Sequence, residues 1–255
     1  MQNRYVGDVG DFAKYSLLRA LRAGRPTLTL GVFWYLYPDE EHNGDGRHIG
    51  YLDQPALRDR DIETHRALAE FVRSGSRSIA AVERSSILRG ASFYSNCVAI
   101  REGPAARLAH RSSWFDNGLA ALSGADILFF DPDNGIETRA LKRSDHRAGK
   151  YVFWEELERA WATGASLVVY NHLNRSASAA MQTELLSETF AERLAGIGLL
   201  APLLFRRGSC RHMWVIGQPR HARVLAKRVR RFLARGWAAD TECRIEIAAE
   251  NISLR

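Results

Sequence analysis

The most informative run of the chain reads DILFFDPDNG, at residues 126–135. Its first half is apolar at every position of Ile127–Phe130, which is typical of a central strand buried on both faces of a sheet. Its second half contains only turn-forming residues. In an open α/β sheet, ligands bind beyond the carboxyl ends of the strands. The run therefore predicts a buried strand that carries Asp131 to a binding site.

A second strand is predicted next to the first. The apolar residues 167–170 end at Asn171 and His172, and we expect the two strands to be neighbours, with their polar ends close together. Further along, residues 200–205 and 212–216 form two apolar stretches joined by a short polar link. Such a link predicts an antiparallel pair.

The rest of the chain alternates apolar strands with amphipathic helices, among them helices at about 62–73 and 219–234. This alternation indicates a Rossmann-like α/β fold, with a mostly parallel sheet and an antiparallel C-terminal hairpin at its edge. We expect one α/β domain over residues 1–255, with a small insertion at about 37–75. Residues 79–109 have no clear pattern and are assigned only loosely.

Composition limits the class of protein. Hydrophobic residues make up 46% of the chain and charged residues 25%, a mixture typical of globular chains and not of disordered ones. No apolar run reaches the roughly 20 residues of a transmembrane helix, so we expect no membrane partner. Cys97, Cys210 and Cys243 lack metal-binding spacing, and the first residues lack the apolar stretch of a signal peptide. These features favour a cytoplasmic location.

The charge balance points to a phosphate-rich partner. Lys and Arg number 36 against 29 Asp and Glu, which gives a net charge of +7. A positive excess attracts RNA or DNA through its phosphates. We therefore expect nucleic acid as a partner, while the sequence is silent on the oligomeric state.

The loop after the first strand carries the candidate chemistry. The oxygens of Asp131, Asp133 and Asn134 could hold a hard cation such as Mg²⁺ or Mn²⁺, or accept hydrogen bonds from an amino group on a substrate. The alternative is an ordinary turn, because all these residue types favour turns. His172 joins the candidate site through its position at the end of a strand, although a lone histidine is more often structural.

A second notable stretch, GDVGDFAKY, covers residues 7–15. Asp8 or Asp11 could cap a helix and interact favourably with its dipole. Asp11 and Lys14 lie one turn apart and could pair in solvent. Alternatively, Asp8, Asp11 and Lys14 all belong to the functional site.

The last predicted helix carries basic residues at spacings of three and four. They are Arg220, Arg223, Lys227, Arg230 and Arg231. A solvated face of an ordinary amphipathic helix explains this pattern. Together with Arg206, Arg207 and Arg211, however, it makes the C-terminal half the first place to look for phosphate contacts.

Several short strings, in the same order, resemble the adenine-N6 methyltransferases that modify large-subunit ribosomal RNA. Residues 7–15 are similar to that family's opening Gly-Asn-x-Ala-Asp-Val-Leu-Lys-His, with matches at Gly7, Asp11 and Lys14. The other counterparts are residues 130–134 for the catalytic Asp-Pro-Pro-Tyr-Glu, 169–172 for Trp-Tyr-Pro, and 208–219 for Gly-Ser-Gly-Met and Asn-Pro-Pro.

The resemblance implies methylation of an adenine in nucleic acid with S-adenosylmethionine as cofactor. Asp131 would accept a hydrogen bond from the exocyclic amine, and Lys14 and the arginines would contact phosphates. We assign Asp8, Asp11 and Asp45 to cofactor binding.

Two other functions remain open, and the first of them follows from departures from that family. Asp133 and Asn134 stand where the family has Pro and Tyr. With Asp131, these extra oxygen ligands could form a divalent-metal site for phosphodiester hydrolysis. The third candidate is a non-catalytic module that binds nucleic acid or a protein partner on the same fold.

Overall fold

A computed structural model describes residues 1–40, 46–100 and 102–248 of the chain. Within them, eight α-helices and ten β-strands alternate. The helices are α1 (Val9–Arg22), α2 (Pro55–Arg58), α3 (Ile62–Arg73), α4 (Ile79–Arg84), α5 (Pro104–Ala121), α6 (Trp154–Ala162), α7 (Ala179–Arg193) and α8 (Pro219–Ala234). The strands are β1 (Leu30–Phe33), β2 (Ser92–Tyr94), β3 (Ile127–Phe130), β4 (Gly135–Ile136), β5 (Tyr151–Val152), β6 (Ser166–His172), β7 (Leu199–Phe205), β8 (Arg211–Gly217), β9 (Thr241–Cys243) and β10 (Glu246–Ile247).

The main sheet has the order β10-β7-β8-β6-β3-β1-β2, and β9 also pairs with β7. Strands β2, β1, β3 and β6 are parallel, and β8 runs antiparallel to both of its neighbours. The predicted α/β class, the mostly parallel sheet and the C-terminal hairpin are confirmed. The expected edge position of the hairpin is wrong, because β8 lies inside the sheet and β10 covers β7.

Helices cover both faces of the sheet, which explains why the central strands are apolar throughout. In β3, Ile127 and Phe129 pack into one core cluster, while Leu128 and Phe130 pack into the other. The first cluster receives side chains from α1, α3 and α8, and the second from α5, α6 and α7. Alternate residues of the strand therefore contact opposite helical layers, and every position is apolar.

Chain direction through the sheet fixes where a ligand can bind. From β1 the chain crosses to β2 on one side, whereas β3 lies on the other side of β1. Such a change of direction opens a crevice at the carboxyl ends of the two strands. At the mouth of this β1/β3 crevice, Tyr35 has a φ of 48°, an uncommon conformation for a residue with a side chain.

The loosely assigned middle of the chain holds α4, the short strand β2 and the start of α5. In the described part of the chain, no helix is long and apolar enough to cross a membrane.

Candidate functional site

A cavity of about 180 Å³ lies at the carboxyl ends of β3 and β6, beside the start of α1. We call it the Asp131 cavity. Residues from all three elements line it, and polar ones among them include Asp8, Asp11, Lys14, Asp131 and His172. The two strands are hydrogen-bonded neighbours, with Phe130 opposite Val169, so the residues that follow them meet at one edge of the sheet.

Asp131 is held in place through both its backbone and its side chain. Its backbone N–H donates to the carbonyl of Phe33, at 3.0 Å, which ties the start of the loop to β1. The side chain is buried, and its Oδ2 accepts a hydrogen bond from Lys14 Nζ at 2.7 Å. No donor from the described residues reaches the other oxygen, Oδ1, although Asp131 lines the cavity.

Lys14 bridges two carboxylates. Its Nζ lies 2.7 Å from Asp131 Oδ2 and 2.7 Å from Asp11 Oδ1, and all three side chains are at most 5% exposed. Burial alone would lower the pKa of Lys14, but the two carboxylates raise it well above its ordinary value. The lysine therefore stays charged and serves as a fixed cation between the helix and the strand.

The carboxyl group of Asp11 has a raised pKa. Burial raises its pKa to about 6, the Lys14 charge opposes that rise, and the Asp131 charge adds to it. Its Oδ2 accepts weaker hydrogen bonds from the Gly7 N–H, at 3.3 Å, and from the Tyr15 hydroxyl, at 3.4 Å. A carboxyl group with such a pKa can exchange a proton under physiological conditions.

Asp8 caps α1 and connects it to the C-terminal hairpin. It accepts hydrogen bonds from the N–H groups of Gly10, at 2.8 Å, and His48, at 3.2 Å. Arg211 Nη1 lies 3.5 Å from its Oδ1. A Cβ atom at Gly10 would come within 1.4 Å of the Arg211 guanidinium, so only glycine leaves room for that arginine against the helix.

Asp133 and Asn134 make different kinds of contact. The two oxygens of Asp133 lie 2.6 Å from the amino nitrogen of Met1 and 2.6 Å from Gln2 Nε2. Asn134 acts through its backbone: its N–H donates to Lys150 O, and its carbonyl accepts from the His172 N–H at 3.2 Å. The loop is thereby attached to the end of β6.

The loop can approach β6 this closely because of Gly135. Its φ is 109°, and a Cβ atom there would lie 2.7 Å from the Cα of Asn171. Both the left-handed backbone and the close approach require glycine. Asn171 completes the junction, since its Oδ1 accepts the Ile136 N–H at 2.9 Å.

Aromatic rings form one wall of the cavity. Tyr170 and His172 lie two residues apart on β6, with ring centroids 5.4 Å apart in an edge-to-face arrangement. Burial raises the pKa of the Tyr170 hydroxyl well above its ordinary value. Tyr170 therefore remains a neutral ring at physiological pH.

The structure thus brings together seven of the eight residues singled out from the sequence. They are Asp8, Asp11, Lys14, Asp131, Asp133, Asn134 and His172. Asp45 lies outside the described residues. Met1, Tyr5, His48 and Ser209 also line the cavity, and no local sequence pattern marks them, because each reaches the site through a long-range contact.

The arrangement does not suit a divalent metal ion. Within residues 1–40, 46–100 and 102–248, no group of three or more His, Cys, Asp or Glu side chains is placed to hold one. One oxygen of Asp131 is taken by Lys14, and Asp133 is engaged by Met1 and Gln2. A cation would have to displace these donors, so we derive no metal-dependent step.

The β1/β3 crevice likewise does not suit S-adenosylmethionine in this conformation. The Met1 nitrogen lies 2.9 Å from Tyr35 O and 3.0 Å from Asp131 O, and the Tyr37 N–H donates to Met1 O at 2.9 Å. Met1 and Gln2 are buried there. They fill the position that a methyl donor would take in a Rossmann-like crevice, so we derive no methyl-transfer step.

No family model and no curated protein matches this chain. Among solved structures, it is similar to a Legionella pneumophila protein of family DUF519, at 12% identity and a TM-score of 0.49. The match covers 96% of this chain and 98% of the other.

A larger groove of about 1080 Å³ opens next to the Asp131 cavity, between β4, the segment after β6, and α7. We call it the α7 groove. Asn134 and His172 line both spaces, so the groove is adjacent to the cavity. Met181 and Leu185 stand 61% exposed on its α7 side.

Proposed function

We propose that the protein is a nucleic-acid-directed enzyme that takes one amino-bearing base into the Asp131 cavity. The observation that carries this proposal is the placement of Asp131, an acceptor at the end of β3, beside the rings of β6 and within a small space. Enzymes that act on a base remove it from the stack into such a pocket, where its edge is read by hydrogen bonds and its faces by stacking.

The charge of the cavity favours an amino group over a phosphate. Four carboxylates line it against two cationic side chains. The carboxylates are Asp8, Asp11, Asp131 and Asp133, the cationic side chains are Lys14 and Arg211, and the ammonium group of Met1 is a third cation. Asp131 Oδ1 receives no donor from the described residues and is therefore the acceptor for an exocyclic amine, since carboxylates accept hydrogen bonds from base amino groups.

The shape of the site favours one unit of a polymer. The cavity of about 180 Å³ is smaller than the 1080 Å³ of the α7 groove, and Asn134 and His172 line both. A strand lying along the groove would reach the cavity with one nucleotide. His172 stands at the junction, where its ring would stack on the inserted base.

Binding of short oligonucleotides tests this proposal. An oligonucleotide that lacks the base at its central position should bind more weakly than the intact one, and His172→Ala should remove that difference. Loss of base–ring stacking weakens binding by about 1–3 kcal/mol, or roughly 5- to 150-fold. The matched control is His146→Ala, since the side chain of His146 is exposed and lies outside the cavity. Equal affinity of intact and abasic oligonucleotides would refute base insertion.

Mass spectrometry of the same oligonucleotides identifies the reaction. The resemblance to adenine-N6 methyltransferases makes methyl transfer one reaction to test, with S-adenosylmethionine added, and this reaction requires Met1 and Gln2 to leave the β1/β3 crevice. A second arm with Mg²⁺ or Mn²⁺ detects strand cleavage. An unchanged oligonucleotide in both arms, with base-dependent binding intact, would identify a binding module instead of an enzyme.

A further inference from the structure

Helix α8 presents an exposed face of unusual charge. Six of its sixteen residues are Arg or Lys and none is acidic. Those that are exposed are Arg220, Arg223, Lys227, Arg230 and Arg231. The whole chain has seven more basic than acidic residues, and this one helix carries six basic residues.

The orientation of α8 is fixed, and the basic face cannot turn inward. Leu225, Val229 and Phe232 on the opposite side are at most 2% exposed and belong to the core. Arg228, between the two faces, is buried and donates from Nη1 to the carbonyl of Leu21 at 2.7 Å. These contacts hold the helix against α1 with its basic side chains in solvent.

Three residues of this basic face are not neutralised by a neighbouring carboxylate in the described part of the chain. Among the described residues, Lys227, Arg230 and Arg231 have no carboxylate within ion-pairing distance, whereas exposed arginines elsewhere do. Arg159, for example, pairs with Asp116 at 2.5 Å, and Arg193 with Glu158 at 2.7 Å. Uncompensated basic residues on one face attract a polyanion.

The end of α8 leads toward the Asp131 cavity. After the helix, Asp240 binds Arg60 Nη1 at 2.5 Å, and its carbonyl accepts the Arg206 N–H at 2.9 Å. Arg206 begins the turn between β7 and β8, and from that turn Ser209 and Arg211 line the cavity. The segment after α8 is therefore linked by contacts to the turn whose residues line the cavity.

We infer that the exposed face of α8 binds the phosphate backbone of the nucleic acid whose base enters the Asp131 cavity. This inference rests on the proposed function for the identity of the ligand, but the phosphate contacts of α8 do not require a base to enter the cavity. The cavity reads one base, while α8 holds flanking phosphates without regard to sequence.

The salt dependence of binding tests the α8 contacts directly. Each lost phosphate contact lowers the slope of log K against log salt by about 0.7–0.9. Substituting Lys227, Arg230 and Arg231 by Gln should therefore reduce the slope by about two to three units. The affinity ratio of parent to variant should fall about 20- to 40-fold as salt rises from about 50 to 200 mM.

A matched control removes the same charge elsewhere. Substituting Arg66, Arg73 and Arg84 by Gln replaces three exposed residues on α3 and α4. This variant should keep the parent slope to within about one unit, because it loses net charge without losing phosphate contacts. An equal change of slope in both triple variants would show a general charge effect and overturn the inference.

The abasic oligonucleotide separates this inference from the proposed function. The α8 variant should lose affinity equally for intact and abasic oligonucleotides, whereas His172→Ala should act only on the intact one. If base insertion fails while the α8 slope change persists, the α8 inference stands and the proposed function falls. If the α8 variant binds oligonucleotides normally but loses binding to vesicles of anionic lipid, the partner of this face is a membrane surface and the inference is wrong.

Discussion

Replacement of Lys14 by Met should destabilise the protein in a manner that depends on pH. The ammonium group lies 2.7 Å from each of two buried carboxylates, Asp11 and Asp131. Methionine has a similar length but no charge, so the variant leaves two buried carboxyl groups without a cationic partner. Removing one member of a buried ion pair costs about 3–5 kcal/mol.

The pH dependence follows from Asp11. Its pKa in the folded protein is about 6, above the ordinary value of 3.8, and the Lys14 charge lowers it. In the variant the pKa of Asp11 must therefore rise further. An acid with a raised folded-state pKa loses its stabilising contribution as pH rises from its unfolded-state pKa to its folded-state pKa. Below pH 6 the free energies of unfolding of the parent and of Lys14→Met change in parallel. Above pH 6 the variant loses stability relative to the parent by up to about 1.4 kcal/mol per pH unit.

Urea denaturation followed by tryptophan fluorescence measures this difference at three pH values, one below 6 and two above it. The matched control is Lys227→Met, because Lys227 is exposed on α8. An exposed substitution of this kind should change the free energy of unfolding by less than about 0.5 kcal/mol. A loss below about 1 kcal/mol for Lys14→Met, unchanged across the pH range, would refute the bridging role of the lysine.

Three further predictions concern single positions. Asp131→Asn should lower the pKa of Asp11 below about 6, because the Asp131 charge raises it; carboxyl-carbon NMR titration measures this, and an upward shift would contradict the assigned electrostatics. Gly10→Ala should stabilise the protein by up to about 1 kcal/mol only in an Arg211→Ala background. Helix propensity favours Ala, but in the parent protein the Arg211 guanidinium occupies the position of the new Cβ atom. Additive effects of the two substitutions in a double-mutant cycle would rule out this clash. Trp237→Ala should lower the free energy of unfolding, measured by urea denaturation, by about 3–5 kcal/mol, because the indole is 1% exposed and packs against neighbouring aromatic rings. A loss under about 1 kcal/mol would mean that the surrounding side chains fill the space left by the indole.

Patterns within one element predicted much of the fold. The bounds of α3 and α8 agree with the apolar spacing of residues 62–73 and 219–234, because each helix has one buried and one exposed face. The apolar run of β3 also identified a central strand. By contrast, β2 has three residues of mixed burial, too few to produce a period, and the sequence offered no signal for it.

The candidate site was predicted in part for the same reason. Asp131 and His172 were selected as residues at strand ends, and parallel neighbouring strands bring such ends together. The spacing of Asp11 and Lys14 predicts a pair one turn apart, and that pair forms, but the ammonium of Lys14 also reaches Asp131 across 117 positions of the chain. The burial of Met1 and Gln2 in the crevice had no counterpart in any pattern, since neither residue belongs to a periodic segment.

The order of apolar and polar residues alone determined the class of fold, the helical and strand segments, and the strand end at which Asp131 stands, because periodicity and turn chemistry act over a few residues. Tertiary structure decided which groups meet there. It placed one lysine between two acids, inserted β8 between β6 and β7, and turned the basic side of α8 to solvent. These outcomes depend on how the helices pack on the two faces of the sheet, and packing brings together residues that the chain keeps far apart.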